Sequence, residues 1–234
     1  MGKRIIARAR GKGGPRYKVP SHRYLGRVSY APVTGISGKV LDIVHDPARS
    51  APVAIVKLEN GKEILHIAPE GLRAGDLIVY DGEPKVGNVL PLEKIPEGTK
   101  ICCIETFPGS GPKLCRSSGS FSIVVGKTKD RVKLQFPSGK IIELDKDCRA
   151  MIGVPAGGGR IEKPFVKAGK KFYAMKARGK LWPRVKGVVM APVDHPYGGK
   201  SHRPRPSKTV SRHAPPGAKV GSIAARRTGK KKGS

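Results

Sequence analysis

Acidic residues are the scarce class in this sequence: 17 aspartates and glutamates stand against 47 lysines and arginines, a net charge of +30 over 234 residues. That balance lies far outside an ordinary enzyme's range and implies a polyanionic partner, nucleic acid before an anionic membrane. Long apolar runs are missing as well. No stretch approaches the roughly eighteen apolar residues of a membrane-spanning helix, so no membrane partner is expected. The opening MGKRIIARAR lacks a signal peptide's apolar core, and Ile6 stands where a myristoylation signal needs Ser or Thr. A cytoplasmic location is the expectation. Of the four cysteines, Cys102, Cys103, Cys115 and Cys148, none has CxxC spacing or a histidine at zinc-ligand distance. They read as small buried residues in a reducing compartment, with no metal and no cofactor expected. Side-chain amides number three, Asn60, Asn88 and Gln135, a shortage that thermophily and biased codon usage explain equally well. No GxSxG nucleophile elbow occurs, and PAGGGR at 155–160 lacks the Lys-Ser/Thr that would complete a phosphate-binding P-loop.

What is present is unevenly placed. Residues 1–28 hold nine basic side chains and no acid, and residues 176–234 hold sixteen with Asp194 as the only acid. Residues 29–175 hold 22 basic and 16 acidic residues, close to an ordinary globular balance. The pattern predicts a folded body with two basic arms: an N-terminal arm over 1–30, a first domain over 31–83, a second over 84–175, and a C-terminal arm over 176–234.

The body reads as short strands. β-branched residues bounded by turn signals place them at 37–45, 52–59, 62–67 and 76–80. Asn60-Gly61 predicts a tight hairpin with both central residues at positive φ. Several short strands separated by glycine turns predict a small barrel. Residues 84–98, rich in proline and glycine, predict a domain junction. Strands resume at 100–105, 113–116, 120–126, 131–136, 140–144 and 150–154. In 131–136, Val132, Leu134 and Phe136 alternate with Lys133 and Gln135, one face in and one out. Residues 163–178 predict a short basic helix.

The arms carry the candidate binding residues. In the first, Arg8, Arg10, Lys12, Arg16, Lys18, His22, Arg23 and Arg27 are interleaved with Tyr17, Tyr24 and Tyr30. Cations with aromatics suit phosphate contact and stacking on unpaired bases. The three glycines before Arg160 let backbone approach a phosphate while the guanidinium contacts it. The second arm centres on KLWPRVKGVVMAPVDHPYGGK at 180–200, which holds the only tryptophan, Trp182. Pro183, Pro192 and Pro196 exclude a helix and a central strand there. A segment so poor in acids and regular structure is expected to need a polyanion to fold against.

Within it, Met190, Ala191, Pro192, Val193, Asp194, His195, Pro196, Tyr197, Gly198, Gly199 and Lys200 resemble the MNPVDHPxGGG motif of the universal large-subunit ribosomal protein L-two family. Ala191 stands where Asn is usual, and Lys200 takes the place of the third glycine. HDPARSAPVA at 45–54 and AGGGR at 156–160 resemble the same family, and PSHRY at 20–24 and AARRTG at 224–229 resemble its archaeal and eukaryotic branch. The resemblance runs over nearly the whole chain. It implies a mainly β fold, an OB-like barrel followed by an SH3-like barrel, with long irregular basic arms. It also implies a structural, non-enzymatic role in translation as a primary ribosomal RNA-binding protein of the large subunit. Its expected partners are large-subunit RNA, other ribosomal proteins, small-subunit RNA across the interface, and nearby tRNA. Arg178, Arg184, Lys186, Arg203, Arg205, Arg212, Arg226 and Arg227 complete the expected RNA contacts.

His195 is the one candidate for chemistry, since a histidine titrates near neutral pH. An Asp194–His195 relay is not expected, because neighbours in extended chain point to opposite sides. A general acid or base role for His195 is one alternative reading. A DNA-compacting architectural protein is another, but arms wrapping DNA nonspecifically have no need of a fixed Pro-His-Pro order with one acid.

Overall fold

The computed structural model describes residues 4–199, 209–215 and 217–225. The chain is mainly β, as expected, and divides into two compact units. One is Pro20–Val166; the other joins Met1–Val19 to Lys167–Ser234.

The first unit contains two sheets. β1 (Ser37–Val44), β2 (Val53–Leu58), β3 (Glu63–Ile67) and β4 (Leu77–Val79) form a four-stranded sheet in the order β3-β2-β1-β4. All its strand pairs are antiparallel. Val28 adds a parallel bridge to Leu65 on the β3 edge. The β2–β3 turn differs from the expected hairpin. Only Gly61 has positive φ, at 81°, while Asn60 keeps negative φ. Its Oδ1 accepts the Lys62 N–H at 3.0 Å, and Gly61 N–H bonds Leu58 O at 2.9 Å. Satisfying the Asn side chain locally makes a three-residue turn closed by a glycine bulge.

The second sheet has six strands: β5 (Val89–Pro91), β6 (Lys100–Cys102), β7 (Ser122–Lys127), β8 (Arg131–Gln135), β9 (Ile141–Asp145) and β10 (Arg149–Ile152), ordered β5-β10-β6-β7-β8-β9. β8 buries Val132 and Leu134 as the alternation predicts. Residues 84–98, read as a junction, also hold β5. Its Pro91 lacks an N–H and is tolerated because β5 is an edge strand. Residues 113–116 form no strand. Only Leu114 bridges, to Ile104, and Cys115 at φ 51° ends the extended run.

Two apolar clusters sit under these sheets. The first joins Val40, Val56, Ile67 and Ile78 to Cys102, Cys103 and Met151 of the second sheet's strands and turns. The second packs Leu90, Leu92, Ile101, Val124 and Leu134. Burial holds the cysteines inert. A hydrogen bond with Cys103, and then desolvation, raises the Cys102 thiol, and desolvation raises Cys115 and Cys148 to about 11.

The other unit carries short regular elements. α1 (Ile6–Gly11) carries Arg8 and Arg10, and α2 (Ala168–Ala177) supplies the helix foreseen within 163–178. β11 (Thr209–Val210) and β12 (Ser222–Ile223) pair in parallel. The two arms meet. Gly179, at φ 60°, lies so close to the Lys18–Val19 peptide that a Cβ there would be 2.8 Å from Lys18 C. Gly217 lies against Arg8 in the same way, at 3.1 Å from its guanidinium nitrogen.

Candidate nucleic-acid interface

The proline-rich motif folds as a compact loop over residues 187–199. A short 3-10 turn, Gly187–Val189, leads in. Asp194 and His195 N–H both bond Ala191 O, at 3.0 and 3.2 Å, and Gly199 N–H bonds Met190 O at 3.0 Å. Gly198 and Gly199 are needed for close approach. A Cβ on Gly198 would fall 2.6 Å from Ala191 C, and one on Gly199 2.7 Å from Pro192 Cγ. The loop has its own hydrogen-bonded scaffold.

The same scaffold fixes His195. Its Nδ1 accepts the Tyr197 N–H at 3.0 Å, and the two rings tilt together at 5.1 Å. That contact occupies Nδ1 within the loop. Nε2 is thus the ring nitrogen left for a partner outside the loop. Tyr197 in turn donates its hydroxyl to Val220 O at 3.2 Å, which ties the loop to a buried residue of the same unit.

Around the loop, Arg184 and Lys186 are exposed, while Trp182, Met190 and Asp194 are half-buried. Lys171 of α2 lies over the Trp182 ring at 5.5 Å, a cation–π contact. Arg178 is half-buried just past the end of α2. Arg8, Arg10, Lys12, Arg16, Lys18 and Arg212 are exposed in this unit, and His22, Arg23 and Arg27 are exposed in the other. Lys200, Arg203, Arg205, Arg226 and Arg227 lie outside the described residues.

Two sequence readings change. Tyr30 is buried, 7% exposed, and donates its hydroxyl to Cys103 O at 2.6 Å, so it cannot stack on a base. The glycine run serves a packing need. A Cβ on Gly158 would lie 3.1 Å from Gly119 Cα, where two backbone segments pass. Arg160 remains exposed, its Nε donating to Ser118 Oγ at 3.0 Å.

A cationic cavity of about 480 Å³ was not foreseen. Arg27, Ser29, Lys113, Arg116 and Arg149 line it, with the Gly109–Gly111 turn along one side. Arg149 is engaged by buried Glu105 and serves as a wall. Arg27, Lys113 and Arg116 supply charge for a phosphate. Lys113 and Arg116 sit in a stretch that reads as a strand in sequence, which hid them. Among the described residues no cluster of three or more metal-ligating side chains occurs, and no helix is long and apolar enough to cross a membrane.

Comparison with known proteins matches residues 4–80 to the family described as Ribosomal Proteins L2, RNA binding N-terminal domain, and residues 85–220 to its C-terminal domain. The chain belongs to the L2 family of ribosomal proteins. It is similar to the "Large ribosomal subunit protein uL2" of Archaeoglobus fulgidus, 55% identical over 98% of this chain and 99% of that one. The uL2 of Methanothermobacter thermautotrophicus is 52% identical over 99% and 100%, and that of Methanopyrus kandleri 49% over 98% of each. The DNA-compacting alternative has no support from this membership.

Proposed function

We propose that this L2-family protein is a structural, primary RNA-binding component of the large ribosomal subunit in the cytoplasm. The β unit is a rigid platform, and the basic unit threads between RNA helices, neutralising phosphates that would otherwise repel one another. The 187–199 loop sits against RNA of the peptidyl-transferase region, where it supports tRNA placement and subunit association. Its neighbours are other ribosomal proteins and, across the interface, small-subunit RNA. The observation that carries this reading is the contact of Tyr197 N–H with His195 Nδ1 at 3.0 Å. With Nδ1 taken up inside the loop, Nε2 is the ring nitrogen left to bond an RNA oxygen. Photocrosslinking from Arg184 and His195 in native subunits tests it. The expected products are nucleotides of large-subunit RNA near the peptidyl-transferase region, and products confined to other RNA overturn the placement.

A further inference from the structure

We infer that the exposed ring pair Phe172 and Tyr173 on α2 is a stacking platform for an unpaired base of single-stranded RNA. The inference rests on the RNA-binding reading above and deepens it at a place neither arm motif covers. α2 has ten residues and buries none of them completely. A free helix of that length is marginal in water, and tertiary contacts on one side leave the other open to a partner.

Its two sides differ. Lys171, Ala174, Met175 and Ala177 are half-buried, and Lys171 reaches the Trp182 ring. Lys170, Tyr173 and Lys176 are exposed and follow one another at three-residue steps, so the tyrosine stands between two cations on one row. Tyr173 is 69% exposed and Phe172 41%. The rings meet edge to face, at 5.5 Å and 82°, an arrangement that leaves a flat π-face open. No acid lies between Glu162 and Asp194 in sequence, while that interval holds seven lysines and two arginines. Charge complementarity therefore selects a polyanion as the occupant. Open aromatic faces select its unpaired bases, because bases in a duplex are already stacked.

The test uses the full chain and two probes, a uridine decamer and an RNA duplex with the same number of phosphates. Tyr173→Leu and Phe172→Leu keep apolar bulk and good helix propensity. Each variant is expected to lose roughly tenfold in affinity for the decamer, in line with the stacking energy of one base. Less than a twofold change is expected for the duplex, with an unchanged salt slope, and Tyr173→Trp is expected to retain the decamer affinity. Equal loss on both probes, or no loss on the decamer, overturns the inference. If the unaltered chain binds neither probe, the RNA-binding reading itself fails, a distinguishable result. In assembled subunits, a benzophenone side chain at position 173 is expected to crosslink to a nucleotide. A crosslink to a protein, or none, counts against the platform.

Discussion

Gly187 is the wall against which the His195 imidazole rests: a Cβ built on Gly187 would fall 2.7 Å from His195 Cγ and closer still to Nδ1 and Cε1. The ring is therefore held from two sides, by that wall and by the Tyr197 N–H at 3.0 Å. Gly187→Ala forces the ring or the loop to move, an overpacking that costs about 1–3 kcal/mol. Subunits from cells expressing Gly187→Ala are expected to contain less of this protein, by quantitative mass spectrometry. The melting of the β unit should not change. Normal incorporation would show that the ring's position is unimportant.

His195→Gln is expected to be mild. A Gln amide can accept from one N–H and donate from its own nitrogen, the pattern the imidazole shows here. Purified subunits shown to contain the variant should form peptide bonds within a few-fold of wild type at saturating substrate. A loss of about 100-fold is the size expected when a general acid or base is removed, and that result would restore the catalytic alternative.

Glu105 and Arg149 form the most demanding polar contact in the β unit. Glu105 is fully buried and accepts the Gly111 N–H at 3.0 Å, the Arg149 N–H at 2.9 Å and the Arg149 guanidinium at 3.0 Å. Arg149 also donates to Ala31 O at 2.7 Å and lies over the Tyr30 ring at 5.4 Å, linking the segment before β1 to β10. Removing one partner strands a buried charge. Glu105→Ala is expected to destabilise the protein by about 3–5 kcal/mol in urea unfolding. The paired change Glu105→Leu with Arg149→Met should cost less than the sum of the single changes. Strict additivity would mean the ion pair carries no coupling.

His66 gives stability a pH dependence. It is buried, and desolvation lowers its pKa from 6.5 to about 4. Its Nε2 meets the Tyr80 hydroxyl, while Nδ1 has no partner among the described residues. A folded-state pKa below the unfolded one means the unfolded chain binds the extra proton between those values. Stability is therefore full above pH 6.5 and falls as pH drops toward 4, by up to about 3 kcal/mol from this group. Denaturation midpoints of wild type and His66→Phe, compared from pH 7 to 4, should converge as pH falls. Parallel curves would sink the assignment.

The β unit was legible where side-chain pattern and turn chemistry agreed. Val132 and Leu134 alternate with charged neighbours, and their strand stands as read. Where a local signal met a tertiary demand, the sequence misled. Pro91 hid β5 because an edge position excuses the missing N–H, and nothing in the sequence marks an edge. Tyr30 reads as part of a basic arm, but its hydroxyl finds Cys103 O, 73 residues away. Gly157, Gly158 and Gly159 read as a phosphate approach, whereas the demand at Gly158 comes from Gly119, which only the fold brings near. Residues 190–199 of the loop were named one by one in sequence, and 187–189 lay within the stretch read around them. What was not legible is that Gly187 closes the site, because its partner lies eight positions on and the contact needs the turn.

The basic unit should supply most of the affinity for RNA. Residues 20–166 hold 21 basic and 16 acidic side chains, a net +5, while the remaining segments hold 26 basic residues and one acid, a net +25. Each phosphate neutralised adds about 0.9 to the magnitude of the log-affinity against log-salt slope on duplex RNA-like polyanions, and somewhat less on single strands. A fragment of residues 20–166 keeps the cavity cations Arg27, Lys113 and Arg116, so it should still bind, but weakly. Its slope should fall to less than half that of the full chain. The comparison must be made at matched salt, since affinity at one concentration mixes charge number with specific contacts. Arg116→Gln in the fragment should then lower the remaining slope by about one phosphate, which separates a cavity that holds RNA from a diffuse positive surface. If the fragment binds large-subunit RNA as tightly as the full chain with the same slope, the basic unit is not the main anchor, and the cavity on the β unit is.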